Sequence, residues 1–387
     1  MRPATAAVHV TTPELPHSRS ISVPIYQASN FAFDDPEALA ESLERPDHEF
    51  AYSRYSNPTT RALENTMATL ESGVAAIATA SGMGAINSVL LSILRSGDHV
   101  IAQRCLYGGT YATLNDLAER FGIAVTYISG EDPAELAAAV RPTSKILYLE
   151  TIANPMTRVT DLPAYASAAK SAGLITIVDN TFATPIFCRP IEHGADIVLH
   201  SATKYLGGHS DITGGLLVFA DAERYRSIWH HTIEVGANAD PFAAWLTIRG
   251  IQTLPLRMQR HNANAGTLAD RLAEHPAVAA VHWPGRAVHP DHALAARLLD
   301  GYGGVLAFDL TGGREAGFAM SKRIRLVKLA ASLGGVTSTA MHPASTSHRQ
   351  LDEAALRAGG IGAGTVRLSV GIEDVDDLWA DLEQALI

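Results

Sequence analysis

The stretch KILYLETIANPMTRVTDLPAYASAAKSAGLITIVD, residues 145–179, contains two apolar runs joined by a segment with helical periodicity. The runs KILYLE and LITIVD are nearly continuous in apolar character, which is typical of strands buried on both faces of a sheet. The segment TDLPAYASAAKSAGL between them spaces its apolar residues as a helix does. A strand, a helix and a second strand in this order predict neighbouring parallel strands in an α/β sheet.

The same alternation extends in both directions, from about Val74 to Leu217. The further apolar runs are VAAIATA, HVIAQ, IAVTYI, ADIVLH and GGLLVFA, which makes seven in all. The sequence therefore predicts an α/β fold with a mostly parallel seven-stranded sheet flanked by helices, within a large domain of residues 61–249. Polar residues follow the carboxyl ends of these strands, where ligands bind in open sheets, namely Ser81, Glu150, Asp179 and Ser201 to Lys204.

Two flanking regions differ from this pattern. Residues 250–387 contain shorter runs, VAAVHWP, GVLAFDL, LVKLAAS and TVRLSVG, mixed with helical segments, which predicts a smaller α+β domain. A long helical pattern with a break near Thr253 to Pro255 leads into this region. Residues 1–60 are rich in proline, serine and threonine and lack sustained periodicity, so we expect an arm that contacts a neighbouring subunit.

Composition limits the classes of partner. The chain of 387 residues is 47% hydrophobic and has a formal charge of −10 with no basic run, which argues against nucleic acid or an anionic membrane surface as a partner. Its two cysteines, Cys105 and Cys188, cannot form a disulfide framework or a zinc site. The first residues lack the apolar core of a signal peptide, and we expect a cytoplasmic protein that binds small molecules.

One uncharged segment, between Glu71 and Arg95, has the length of a membrane span. Serine, threonine, asparagine and glycine interrupt it. We therefore interpret the segment as a buried strand, a small-residue turn and a helix.

The segment HSATKYLGGHSD, residues 200–211, places Lys204 directly after a buried strand. Most lysines are solvated surface charges. This one lies between hydroxyl residues and the pair Gly207-Gly208, with no carboxylate nearby in sequence before Asp211. A desolvated lysine has a lowered pKa and becomes a nucleophile able to form a Schiff base with an aldehyde. Pyridoxal phosphate is a cofactor that supplies such an aldehyde.

Pyridoxal phosphate needs further groups, and the sequence offers a candidate for each. Asp179 ends a buried strand and can pair with the ring nitrogen. The turn ASGMGAIN, residues 80–87, lies between strand and helix, as in phosphate sites at helix amino termini, and Ser201 and Thr203 add hydroxyl donors. Tyr107 in CLYGGTYATL can cover the ring.

A substrate carboxylate also needs a cation, and Arg367 in TVRLSVG offers a bidentate one. Each feature alone has an ordinary structural explanation: a capping aspartate, a tight turn, a packed tyrosine or a surface ion pair. Their joint occurrence at the required places predicts a pyridoxal phosphate site.

Six motifs carry a resemblance over nearly the whole chain, in order: YSRYSNPTTRALE, SGM, LYGGT, VDNTFATP, SATKYLGGHSD and RLSVGIED. They resemble the Cys/Met-metabolism pyridoxal-phosphate enzymes, which include cystathionine γ-synthase, cystathionine γ-lyase, methionine γ-lyase and the homoserine-ester sulfhydrylases. The resemblance implies the type I fold of pyridoxal-phosphate-dependent transferases (aspartate aminotransferase-like), with an active site shared across a dimer and usually a homotetramer.

The resemblance also assigns roles. Lys204 would hold the cofactor and shuttle protons, Asp179 would pair with the pyridinium, and Tyr107 would stack on the ring and act as an acid. Phosphate contacts would come from Ser81, Gly82, Met83, Ser201 and Thr203, and from Tyr52 and Arg54 of a neighbouring subunit. Asn154 and Thr181 would lie near the ring, and Ser332 and Arg367 would hold the substrate carboxylate.

Within the family, cystathionine-handling members can carry an arginine two residues after GGT, where this chain has Ala112. Loss of that cation removes a charge-assisted contact of ~1.5–3 kcal/mol and favours an uncharged γ-substituent, as in methionine γ-lyase. Two positions depart from that pattern: Gly109, where a cysteine is usual, and Thr337, where lyases usually have glutamate. The favoured activity is α,γ-elimination of methionine or a related sulfur amino acid; the alternatives are cystathionine γ-lyase activity and γ-replacement on an activated homoserine.

The sequence argues against three other functional classes. The segment HPDH, His289 to His292, has the spacing of a metal pair but lacks a third local ligand and is interpreted as a solvated loop. A catalytically silent binding relative is disfavoured by the complete set of cofactor residues. A dinucleotide oxidoreductase is disfavoured because no G-x-G-x-x-G follows the first strand.

Overall fold

A seven-stranded sheet forms the larger of two sheets in the computed structural model, which describes residues 1–10, 20–45, 49–346, 356 and 360–386. Its strands are β1 (Ala75–Thr79), β2 (His99–Gln103), β3 (Ala124–Ile128), β4 (Ser144–Glu150), β5 (Ile175–Asp179), β6 (Ile197–Ser201) and β7 (Gly215–Phe219). Their spatial order is β1-β7-β6-β5-β4-β2-β3. Only β7 runs against its neighbours, so the predicted mostly parallel sheet is confirmed.

Helices cover both faces of this sheet. The helices of this part of the chain are α1 (Pro3–Val8), α2 (Pro36–Glu44), α3 (Pro58–Leu70), α4 (Gly82–Ile93), α5 (Gly108–Phe121), α6 (Ala134–Ala139), α7 (Leu162–Ser171), α8 (Thr184–Phe187), α9 (Ala222–Val235) and α10 (Pro241–Ile251). Neighbouring residues of β4 belong to different cores: Leu147 to one apolar cluster and Tyr148 to another, and both are fully buried. Burial on both faces explains why the strands are continuously apolar in sequence.

A five-stranded sheet follows, in the order β10-β11-β12-β9-β8. Its strands are β8 (Val278–His282), β9 (Val305–Leu310), β10 (Lys328–Leu329), β11 (Thr339–Met341) and β12 (Thr365–Ser369), and its helices are α11 (Leu254–Glu274), α12 (His292–Leu298), α13 (Gly313–Arg323) and α14 (Val375–Ala385). This is the predicted α+β region. The division of the chain after residues 60 and 249 stays a prediction.

One predicted strand, LVKLAAS, is wrong over most of its length. Strand β10 is limited to Lys328–Leu329, and β11, which was not predicted, provides its partner. Beyond the strand, Ser332 adopts a left-handed conformation with φ 76°. This turn brings the Ser332 hydroxyl to the lysine of the candidate site.

The break expected near Thr253 is present. Helix α10 ends at Ile251, and α11 begins at Leu254 with Pro255 in its first turn. The buried Arg257 of α11 donates to the carbonyl oxygens of Tyr205, at 2.8 Å, and Gly250, at 2.7 Å. The break therefore anchors the segment that follows Lys204.

Part of the predicted arm packs on its own chain. In α1, Ala6 and Ala7 are buried in the same apolar cluster as α3 residues. Whether the arm also contacts a second subunit stays a prediction, and residues 11–19 and 46–48 of it lie outside the described residues.

The uncharged segment between Glu71 and Arg95 forms β1, a turn and α4, as expected. Across the part of the chain that the structure describes, no helix has both the length and the apolar character needed to cross a bilayer.

Candidate active site

A cavity of about 810 Å³ opens at the carboxyl ends of β4, β5 and β6 and extends toward the five-stranded sheet. The structure brings together around it most of the residues singled out in sequence: Ser81, Gly82, Met83, Tyr107, Asn154, Asp179, Thr181, Ser201, Thr203, Lys204, Ser332 and Arg367. Tyr52 and Arg54 are not among the described residues that line it. Their expected role in a neighbouring subunit stays a prediction.

Lys204 lies three residues beyond β6, which ends at Ser201. Its Nζ donates a hydrogen bond of 2.7 Å to Ser332 Oγ. Burial, helped by the positive charge of Arg367, lowers the pKa of Lys204 to about 8. The amine is therefore neutral in a substantial fraction of molecules at mildly alkaline pH, as a nucleophile requires.

Asp179, the last residue of β5, is a buried carboxylate at the cavity wall. Its Oδ1 accepts hydrogen bonds from the Thr181 amide, at 3.0 Å, and the Thr181 hydroxyl, at 2.6 Å. Burial raises the pKa of Asp179, while these two hydrogen bonds and the charge of Lys204 oppose the rise. The arrangement provides an oriented acceptor for a protonated ring nitrogen.

The turn before α4 provides an anion site. Ser81 caps the helix, and its Oγ accepts from the Gly84 amide at 3.0 Å. The preceding amides of Gly82 and Met83 belong to the first helical turn, where backbone N–H groups have no intrahelical acceptor. A Cβ at Gly82 would lie 2.9 Å from Ser201 Oγ, so glycine is needed for the serine hydroxyl to approach this turn.

Tyr107 precedes α5 and reaches the cavity beside it. Its amide donates to Glu150 Oε1 at 2.6 Å. The ring lies close to the backbone of Gly109, where a Cβ would stand 2.5 Å from Tyr107 Cε1. The ring position seen here therefore depends on the absence of a side chain at residue 109.

Arg367 of β12 is buried with its guanidinium at the cavity. Its Nη1 donates to Asn154 Oδ1 at 3.0 Å and its Nη2 to the Ser332 carbonyl oxygen at 2.6 Å. Within the described residues its buried Nε has no hydrogen-bond partner. Burial lowers the pKa of Arg367 to about 10, so it remains a cation at neutral pH and can bind a carboxylate.

These groups fit pyridoxal phosphate. A nucleophilic lysine, an oriented buried carboxylate and a serine-capped helix terminus line one cavity, and each matches one functional group of the cofactor. Lys204 would hold the aldehyde, Asp179 the ring nitrogen, and the turn from Ser81 to Met83, with Ser201 and Thr203, the phosphate.

Several lining residues were not assigned a role from sequence. They include apolar side chains, among them Ile86, Ile152, Phe182, Leu333 and Met341, the hydroxyl residues Thr213, Ser345 and Thr346, and one acid, Glu150. Apolar residues in separate elements carry no local signal that they share a cavity. Glu150 had such a signal, because it ends the apolar run of β4 as Asp179 ends that of β5.

The metal alternative finds no support in the described residues, where no group of three or more His, Cys, Asp or Glu side chains could hold a metal. The HPDH segment is also less solvated than expected. His289 is buried, and burial lowers its pKa to about 4. Asp291 accepts from Arg158 Nε at 2.6 Å. The segment is therefore anchored to Arg158 by an ion pair.

Three comparisons agree with this geometry. The family model described as Cys/Met metabolism PLP-dependent enzyme matches residues 4–387. L-methionine gamma-lyase of Fusobacterium nucleatum is 41% identical over 387 residues, which cover 99% of this chain and 97% of that protein.

Solved structures are similar over the whole chain. Cystathionine gamma-synthase of Xanthomonas oryzae pv. oryzae, in complex with cystathionine, superposes with a TM-score of 0.94 at 40% identity, covering 100% of this chain and 98% of that one. A putative O-acetylhomoserine (thiol)-lyase of Campylobacter jejuni gives a TM-score of 0.95 at 32% identity, covers 100% of both chains, and contains N'-pyridoxyl-lysine-5'-monophosphate.

Proposed function

Because the chain belongs to the Cys/Met-metabolism enzymes that use pyridoxal phosphate on amino-acid substrates, we propose that it is a carbon–sulfur lyase. The proposed reaction is α,γ-elimination of methionine or a close relative, which releases a 2-oxo acid, ammonia and a thiol. This activity is that of a methionine γ-lyase.

One observation carries this choice within the family. Among the described residues that line the cavity, Lys204 and Arg367 are the two with positive charge. Both are assigned to the end of the substrate that carries the α-amino and α-carboxyl groups: Lys204 to the cofactor and the α-proton, and Arg367 to the carboxylate. Ala112 lines the cavity where a distal carboxylate would need a cation. An uncharged γ-substituent such as a thioether therefore suits the site better than a second carboxylate.

The residues divide the work of the reaction. Pyridoxal phosphate, when bound, acts as an electron sink for charge that develops at Cα. Arg367 binds the substrate carboxylate through its planar guanidinium. Lys204, held by Ser332 Oγ at 2.7 Å, accepts the α-proton and delivers protons to neighbouring atoms. We assign protonation of the departing sulfur to Tyr107, which lines the cavity.

A second candidate is γ-replacement on an activated homoserine ester. Gly109 favours it, because the wall beside Tyr107 lacks the side chain that methionine γ-lyases usually carry at this position. The similarity to a cystathionine gamma-synthase structure is also compatible with replacement chemistry.

Product analysis separates the two candidates. Purified holoenzyme is incubated with methionine, or with an O-acyl-homoserine, with and without an added thiol. We expect 2-oxo acid and thiol from methionine alone. Thioether formation without 2-oxo acid would contradict the lyase assignment and support γ-replacement.

Substitution of Ala112 with arginine should extend the substrate range toward a distal carboxylate. We expect kcat/KM for cystathionine to rise about 10- to 150-fold, because one charge-assisted contact is worth ~1.5–3 kcal/mol. The measurement is 2-oxo acid release from cystathionine and from methionine. Ala112→Gln, which adds length without charge, is the matched control, and an equal gain in both variants would count against the charge argument.

We also propose that the active site is shared between subunits of a homotetramer in the cytoplasm. In a single chain, Arg54 Nη1 donates to the Ile233 carbonyl oxygen at 2.7 Å and the guanidinium lies 4.9 Å from the centre of the Tyr55 ring. These contacts hold the half-buried Arg54 outside the lining of its own cavity.

Arg54→Ala is expected to weaken cofactor retention, because the variant loses a charge-assisted phosphate contact across the interface. A loss of about tenfold or more in pyridoxal phosphate affinity should be measurable by equilibrium dialysis. Arg226→Ala, at an exposed position of α9, is the control. Unchanged affinity in Arg54→Ala would overturn the shared-site proposal.

A further inference from the structure

Glu150 lines the cavity but has no role in the reaction described above. We propose that it is a positioning residue, whose carboxylate fixes the Tyr107 segment against the Asn154 segment and thereby sets the acid relative to the carboxylate anchor, Arg367. The inference rests on the proposed roles of Tyr107 and Arg367 in the lyase reaction.

Both carboxylate oxygens of Glu150 are engaged. Oε1 accepts from the Tyr107 amide at 2.6 Å, and Oε2 accepts from the Asn154 amide at 3.0 Å. The two amides belong to different connections, one at the start of α5 and one after β4. One side chain therefore bridges two walls of the cavity.

The bridge continues to the substrate end of the site. Asn154 Oδ1 accepts from Arg367 Nη1 at 3.0 Å, and Arg367 Nη2 donates to the Ser332 carbonyl oxygen at 2.6 Å. The Ser332 hydroxyl in turn accepts from Lys204. Through Asn154, a displacement of Glu150 would be passed on to the cation that binds substrate.

Glu150 is itself held firmly. Its amide donates to Gln103 Oε1 at 3.1 Å, and its carbonyl oxygen accepts from the Thr160 hydroxyl at 2.8 Å. The side chain is buried, so few rotamers are open to it. The backbone and both carboxylate oxygens of Glu150 are therefore fixed, which suits the residue to positioning the Tyr107 and Asn154 segments.

A carboxylate at this buried position carries a desolvation cost. Burial raises the pKa of Glu150 well above its usual range, and the nearby charge of Asp179 adds to the rise, while the two amide hydrogen bonds oppose it. A neutral side chain of the same size would avoid this penalty but could not accept from both amides. The geometry therefore accounts for the acid.

The test compares Glu150→Gln and Glu150→Asp with the wild-type holoenzyme. Glutamine keeps the shape but presents an NH₂ group to one of the two amides, and aspartate keeps the charge but is too short to bridge them. We expect both variants to lower kcat for methionine about 10- to 100-fold. We also expect a changed visible circular dichroism band of the bound cofactor, since the Tyr107 ring shifts. Glu135→Gln is the control, because Glu135 accepts from the Ser129 amide at 2.7 Å outside the cavity.

Hydrogen exchange provides a second readout that needs neither substrate nor cofactor. At least one of the two amides, of Tyr107 or of Asn154, should exchange faster in each variant than in the wild type. Unchanged exchange and an unchanged dichroism band in Glu150→Gln would overturn the proposal. The proposal would also be overturned if Glu150→Asp behaved like the wild type while Glu150→Gln was impaired. A negative charge at residue 150 would then be sufficient without the bridge between the two amides. If wild-type enzyme fails to degrade methionine, the lyase assignment fails, while the exchange and dichroism comparisons still decide the role of Glu150.

Discussion

Substitution of Lys204 with alanine is expected to lower kcat for 2-oxo acid release by about 10³-fold or more. The side chain is proposed both to hold the cofactor and to transfer the substrate protons, and general acid–base catalysis alone contributes about 10²- to 10⁴-fold. The measurement is 2-oxo acid formed from methionine in a single turnover, with variant enzyme saturated with pyridoxal phosphate.

Lys170→Ala is the control for this experiment, because Lys170 is an exposed lysine in the last turn of α7. It should keep wild-type activity. Chemical rescue is also informative. If the missing group acts as a base, an added primary amine should partly restore the activity of Lys204→Ala. Activity of Lys204→Ala within about tenfold of wild type would contradict the assignment.

Substitution of Arg367 with glutamine is expected to raise KM for methionine about 10- to 150-fold. The variant loses a charge-assisted contact with the substrate carboxylate, commonly ~1.5–3 kcal/mol, and such an interaction affects binding more than the chemical step. Glutamine can still donate toward Asn154 Oδ1 or the Ser332 carbonyl oxygen, which limits collapse of the cavity. Steady-state kinetics of 2-oxo acid release measure the change.

Methionine amide separates carboxylate binding from a general loss of structure. The wild type should prefer methionine over its amide, and Arg367→Gln should lose most of that preference, as in a double-mutant cycle. A preference that survives the substitution would mean that another group holds the carboxylate.

The parts of the fold that the sequence predicts well are those with a local cause. Strands buried on both faces must be continuously apolar, so β4 and β5 were recognisable, and with them the acids Glu150 and Asp179 at their ends. Lys204 was recognisable for the same reason, since it follows β6 within one short turn.

The parts that were missed depend on tertiary structure. The chain from Leu329 to Thr339 departs from the sheet to place Ser332 beside Lys204, and the apolar run LVKLAAS does not encode that departure. Helix α1 is too short to show periodicity, although Ala6 and Ala7 are buried. The partners of Glu150 are backbone amides, one of them 43 residues away at Tyr107, and a pattern of side chains cannot reveal such contacts.

The central claim is that Lys204 is the residue covalently joined to pyridoxal phosphate. Holoenzyme reduced with borohydride and digested should yield one peptide carrying the pyridoxyl phosphate mass, and fragmentation should place that mass on Lys204. A label on a different lysine, or no stable label on any peptide, would contradict the account.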